Sequence, residues 1–141
     1  MRIRFYLSLF VAFLIILVNY YAGLYNVYWL FRWFDIPMHI LGGLMVGLFT
    51  QTGIDYLVHF KKREDALIGL NSIVYRRRFS IIFIFVLAVG VAWEFAEWYF
   101  GITDGLGSIS RLDTIKDVID DIIGGALSIW FWKYLFNKTK N

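Results

Sequence analysis

The stretch Leu112–Gly125, L-D-T-I-K-D-V-I-D-D-I-I-G-G, opens the last hydrophobic segment of the chain and decides how the rest is read. It carries four aspartates, Asp113, Asp117, Asp120 and Asp121, and then runs mostly apolar to Phe136. At about 100° per residue the four fall within an arc of roughly 100°, and Gly124 falls inside the same arc. A single helix face therefore carries carboxylates at its start and bare backbone one turn on. A face of that kind belongs against other helices.

Outward from this stretch, the 141-residue chain is 60% hydrophobic and 21% aromatic, with a single proline. A soluble domain keeps about a quarter of its residues charged. Here 18% are charged, and they cluster between long apolar runs. The composition is that of a polytopic membrane protein. The absence of cysteine excludes disulfides, thiolate metal sites and cysteine nucleophiles. The pI near 9.2 does not indicate nucleic acid, because the basic residues are placed as topological signals.

A helix needs about 20 apolar residues to span the hydrocarbon core. Four segments qualify, near 5–25, 36–58, 79–100 and 116–136. The expected fold is all-α: one transmembrane domain over 1–141, four helices in one bundle, with a basic cytoplasmic loop at 59–78. The first apolar run exceeds the 7–15 residues of a signal peptide and no small-residue cleavage site follows it, so it reads as a signal-anchor helix.

Lys and Arg set the orientation. Arg2 and Arg4, the loop residues Lys61, Lys62, Arg63, Arg76, Arg77 and Arg78, and Lys133, Lys138 and Lys140 share one side. Only Arg32, Arg111 and Lys116 stand on the other. Both termini are expected in the cytoplasm, in a plasma (inner) membrane. Tyr20, Tyr21, Tyr25, Tyr28, Trp29, Trp33, Trp98 and Tyr99 would form the outer belt, and Tyr56, Tyr75, Trp130, Trp132 and Tyr134 the inner one. Most acidic residues lie toward the outside, so any chemistry is expected there.

The second segment opens D-I-P-M-H-I-L-G-G. Asp35 suits a helix cap and Pro37 a first turn, where no amide donor is needed. His39 follows Asp35 by one turn on the same face, with Gly42 and Gly43 beyond. The third segment reads G-V-A-W-E-F-A-E-W, so Glu94 and Glu97 share a face with Gly90. At 1.5 Å per residue from Phe79, Glu94 lies about 22 Å into a core of roughly 30 Å. An ionisable residue that deep is a functional-site hypothesis by default. Small residues let membrane helices approach closely, which would gather these carboxylates with the Asp113–Asp121 group. Ser8, Asn19 and Asn26 form a neutral stripe on the first helix, with Asn19 at the depth of Glu94.

Two carboxylates about 4 Å apart repel by about 4 kcal/mol at an effective dielectric near 20. Six or seven converging ones must be protonated, hydrated or metal-bound. Carboxylates with one imidazole suit Mg²⁺, Mn²⁺, Zn²⁺ or Fe²⁺. The expected metal ligands are His39, Glu94, Glu97, Asp117 and Asp121, with Glu94, Glu97 and His39 also the acid/base candidates. Asp35, Asp113, Asp120 and Asn19 are supporting residues. Plainer readings stand beside these. Asp113 and Asp117 complement a helix dipole, with Ser110 and Asp113 resembling a capping box. Asp120 pairs with Lys116 at i,i+4, His39 is a hydrogen-bonded structural histidine, and Asp104–Gly107 is a turn.

His39, Glu94-x-x-Glu97 and Asp117-V-I-D-Asp121-I-I-Gly124 resemble the VanZ-like family of small membrane proteins. The string Asp113-Thr-Ile-Lys-Asp117 is similar to one in the related YjdF-like proteins of unknown function. The VanZ-like pattern has glutamine where Glu97 stands and asparagine where Asp121 stands, so this chain is more acidic. The resemblance implies a bacterial-type envelope protein linked to glycopeptide tolerance or envelope lipids, and it carries no established mechanism.

The leading expectation is a carboxylate/histidine site near the outer leaflet. It would bind a divalent cation and, through it, an envelope lipid head group. An enzyme of this kind would be a metal-dependent hydrolase or transferase acting on a lipid-linked substrate. Membrane lipid is the expected partner, nucleic acid is not, and a homo-oligomer remains open. The alternatives are a proton- or cation-coupled small carrier, which would need to oligomerise, and a structural or partner-binding membrane protein.

Overall fold

The protein is described by a computed structural model covering residues 2–61, 73, 76–100 and 111–137. Helix α1 spans Arg2–Leu24, a single turn α2 spans Val27–Leu30, and a 3-10 turn follows at Arg32–Phe34. Three long helices complete the fold: α3 at Asp35–Lys61, α4 at Arg78–Phe100 and α5 at Arg111–Asn137. The described residues are all-helical, as expected. The Asp104–Gly107 turn, Ser110, Tyr75, Lys138, Lys140 and the centre of the basic loop lie outside them.

Each boundary has a local cause. Asn26 reverses the chain after α1 with φ 52°, a left-handed conformation that asparagine tolerates better than most side chains. Asp35 begins α3 and complements the positive end of its dipole. Pro37 sits in the first turn, where its missing N–H leaves no bond unmade. Helix α5 begins five residues before the expected Lys116, so Asp113 lies in its first turn and Asp117 to Asp121 in the following ones.

Among the described residues, three helical segments are long and apolar enough to cross a membrane: Phe5–Leu24, Arg32–Val58 and Arg78–Phe100. Helix α5 has the length, 27 residues, but its first three turns are charged.

Helix α3 is the hub, packing against α1, α4 and α5, most extensively against α5. Two glycines set that approach. A methyl group at Gly43 would overlap the Asp121 backbone carbonyl, and one at Gly124 would overlap the Ile40 carbonyl. The backbones touch where the sequence placed bare faces, as small residues allow in membrane helices.

Burial is inverted relative to a soluble bundle. Ser8, His39, Gln51, Thr52, Asp117, Asp120, Asp121 and Ser128 are buried, while Phe10, Phe13, Ile16, Phe85, Phe95 and Trp130 face outward. One apolar cluster joins Ile54, Ile82 and Val86, flanked by Val46, Val58, Ile81 and Ile129. An apolar exterior of this extent marks a surface that faces lipid.

Interior polar groups pair across helices. Gln51 donates from Nε2 to Ser128 Oγ at 3.1 Å, joining α3 to α5. The hydroxyls of Ser8 and Thr52 meet at 3.5 Å and join α1 to α3. Near the far end Arg78 pairs with Asp55 and lies 5.3 Å from the centre of the Trp132 ring. Trp132 is therefore buried packing, where an inner-belt position was expected.

Candidate functional site

The site is built around His39, which is 5% exposed. One turn of α3 separates it from Asp35, and Nε2 lies 3.4 Å from Asp35 Oδ1. The same nitrogen is 4.0 Å from Glu94 Oε1 on α4. The other ring nitrogen, Nδ1, is 3.5 Å from Asp121 Oδ1 on α5. The imidazole thus meets carboxylates of three helices. It can do so because Gly43 and Gly124 let α5 close on α3, and because Gly90 leaves room for the Asp121 carboxylate against α4.

Lys116 closes the top of the cluster. Its ammonium is 2.7 Å from Asp117 Oδ1, 3.2 Å from Asp113 Oδ1 and 3.6 Å from Asp35 Oδ2. The last pair crosses from α5 to α3. Asp120, the i,i+4 partner read from the sequence, is not among its ion pairs; the lysine reaches instead to the side where α3 supplies a carboxylate.

Several buried acceptors have no hydrogen-bond donor: Glu94 Oε1, Asp117 Oδ1, Asp120 Oδ2 and Asp121 Oδ2. The Lys116 ammonium is near enough to Asp117 Oδ1 for charge pairing but lies outside hydrogen-bond geometry. A buried anionic oxygen without a donor is costly. A cation in the cluster would offset that cost for several groups at once.

Among the described residues, two groups of side chains can each offer ligand atoms within 4.8 Å of one another: Asp35, His39 and Asp117, and His39, Glu94 and Glu97. Opposite ligands on Zn²⁺ or Mg²⁺, bound at about 2.0–2.2 Å, stand at most about 4.4 Å apart. Small side-chain adjustments would bring either group to that span. The donor set, carboxylates and one imidazole without thiolate, matches Mg²⁺, Mn²⁺, Zn²⁺ or Fe²⁺ chemistry.

The residues singled out in the sequence are distributed unevenly. Asp35, which was expected in support, stands among the ligand-capable atoms. Glu97 belongs to the second group, and its Oε1 accepts a 2.6 Å hydrogen bond from Trp93 Nε1. Asp113 is half-exposed at the rim, and Asp120 is buried but belongs to neither group. Asn19 accepts a hydrogen bond from the Tyr28 hydroxyl.

Three neighbours escaped the sequence reading. Trp93 precedes Glu97 by one turn on the same face, a spacing that could have paired them. Thr114 stands inside the Asp113–Asp117 string and comes close to Glu94 of α4. Tyr28 reads as belt and turns inward, which no periodicity in so short a helix could show.

Below the cluster lies a cavity of about 340 Å³, bounded by α1, α2, α3 and α4 and reaching Asp121 of α5. Asp35, His39, Glu97 and Asp121 lie at its acidic end, and Met38, Met45, Val86 and Val89 line its apolar part.

The fold and the cluster define an all-helical membrane protein with carboxylates and a histidine buried among its helices. Residues 1–138 match DUF2238, a family described as predicted membrane protein, and the chain belongs to that family. No curated protein and no solved structure matches the chain.

Proposed function

We propose that the cluster binds a divalent cation and presents it to the head group of an envelope lipid. The observation that carries this reading is the position of His39, common to both ligand-capable groups and surrounded by buried carboxylate oxygens that lack donors. His39 Nε2, Asp35 and Asp117 supply the ligands, with Glu94 beside the same nitrogen. Asp121, at Nδ1, orients the ring, as carboxylates commonly do behind metal-bound histidines. Asp35 and Asp121 thereby exchange the roles expected from the sequence. Lys116 offsets part of the negative charge.

Bound there, the metal would supply Lewis-acid polarisation of a head-group oxygen. Glu97, held by Trp93, is placed to hold or move a proton. The reading includes α5 as a fourth span, both termini in the cytoplasm and a bacterial-type plasma membrane, supported by the distribution of Lys and Arg. The likeness to VanZ-like proteins supports a role in the envelope.

Elemental mass spectrometry of the detergent-purified protein tests the reading. The wild type should carry about one or two equivalents of metal, and Glu94→Gln/Asp117→Asn should carry none. Absence of metal from both after incubation with Mn²⁺, Zn²⁺ and Mg²⁺ would overturn the metal site. A proton- or cation-coupled carrier would then be the better reading, because the donorless oxygens of Glu94 and Asp121 would have to be satisfied by protons or transported cations.

A further inference from the structure

Helices α1 and α4 both pack on α3, yet no comparable packing joins them to each other. The cavity occupies the gap. Asn19 and Gly23 of α1 face it from one side, and Val89, Trp93 and Glu97 of α4 from the other. Both flanking helices are apolar enough to span a membrane, and in that orientation the gap between them would border hydrocarbon. An apolar chain laid between such walls would gain dispersion contacts with both.

The inner end of the cleft is charged. Among the described residues, Asp35, Glu97 and Asp121 line it together with His39, and Lys116 reaches Asp35 from outside the cleft. Asp121 is 6% exposed, and its Oδ2 lies beside Gly90, a cavity-lining position, with no hydrogen-bond partner. A buried anionic oxygen without a donor at the wall of the cleft is costly, and a positive charge in the cleft would offset that cost. Trp93, fixed by its bond to Glu97, adds an aromatic ring, and such rings attract ammonium groups through the quadrupole of their faces.

We infer that the cleft between α1 and α4 binds a single-chain cationic amphiphile. Its ammonium sits among Asp35, Glu97 and Asp121, and its chain lies between α1 and α4. An anionic head would meet carboxylates, and a chainless cation would leave the apolar walls uncovered. The inference goes beyond the divalent-cation reading and does not depend on it, because the ammonium itself supplies the positive charge.

Gly23 gives a way to block the chain without disturbing the fold. It lines the cleft, and nothing lies within 4 Å of where its Cβ would stand. The experiment measures radiolabelled dodecyltrimethylammonium binding to the full chain in phosphatidylcholine nanodiscs, with EDTA present throughout. Wild type should bind saturably above empty nanodiscs. Unlabelled probe should compete, whereas dodecyl sulfate and tetramethylammonium should not. Gly23→Trp and Glu97→Gln should each weaken binding at least tenfold, and the smaller insertion Gly23→Leu at least threefold. No saturable binding, equal competition by dodecyl sulfate, or wild-type affinity in either the Gly23→Leu or the Glu97→Gln variant would overturn the inference. Because EDTA keeps metal out, failure here leaves the metal-content result untouched, and the reverse holds as well.

Discussion

Gly43 and Gly23 look alike in the sequence, each a glycine within an apolar helix, but their surroundings are opposite. A methyl at Gly43 would overlap the Asp121 backbone, whereas at Gly23 it would meet open space. Gly43→Ala should therefore cost roughly 1–3 kcal/mol or more as an overpacking change. Gly23→Ala should be neutral or stabilise by up to about 1 kcal/mol through helix propensity. Unfolding in mixed detergent micelles, titrated with dodecyl sulfate, would separate the two. The aspartates divide similarly. Asp121→Asn keeps the shape but loses the anionic partner of His39 Nδ1, so Mn²⁺ affinity should fall roughly 10–100-fold. Asp120→Asn, outside both ligand-capable groups, should stay near wild type when both are titrated by calorimetry.

Between elements, the interior contacts differ in what their loss leaves behind. Ser128 accepts from Gln51, which is 1% exposed, and donates to the Gly125 carbonyl at 2.7 Å. Ser128→Ala strands the Gln51 amide against α5 and should cost about 1–3 kcal/mol. The hydroxyl pair of Ser8 and Thr52 is longer, and Thr52 also donates to the Leu48 carbonyl at 2.9 Å. A double-mutant cycle to alanine at those two positions should return a coupling of only about 0.6 kcal/mol, the usual scale for such pairs in membrane helices. A coupling several times larger would mean that α1 is held to α3 more by this pair than by packing.

Across the whole molecule, the path of α5 sets the topology. Its first turns carry Asp113, Lys116, Asp117, Asp120 and Asp121, so apolarity alone does not make it a span, yet from Asp121 to Ser128 it packs closely on α3. Helix α3 shields the charges that lipid would reject. The chain has no native cysteine, so single cysteines report sidedness cleanly. Trp33→Cys, in the exposed 3-10 turn, should react with an impermeant maleimide from outside intact cells. Lys133→Cys, near the other end of α5, should react only after permeabilisation. Labelling of both from outside would reduce the protein to three spans.

The helices were legible because hydrocarbon demands that every backbone group be satisfied within its own segment. Apolar runs of sufficient length therefore announce themselves. The faces of Asp35 and His39, of Glu94 and Glu97, and of the α5 aspartates were legible too, since 3.6 residues per turn maps spacing onto direction. The start of α5 was less so: polar residues at Arg111–Ile115 satisfy a helix as well as a loop, and hydropathy cannot separate the two.

Membrane class, helical content and the set of candidate side chains were thus determined by the sequence itself, through local geometry and the solvent each residue must face. Tertiary structure alone decided that Asp35 and Glu94 lie at Nε2 of the His39 ring and Asp121 at Nδ1. It also decided that Lys116 reaches Asp35 in preference to Asp120, that Trp93 holds Glu97, and that a cleft separates α1 from α4. Those outcomes depend on the rotation and separation of helices that are distant in sequence. Both are set where Gly43 and Gly124 bring two backbones into contact, at a spacing no single helix encodes.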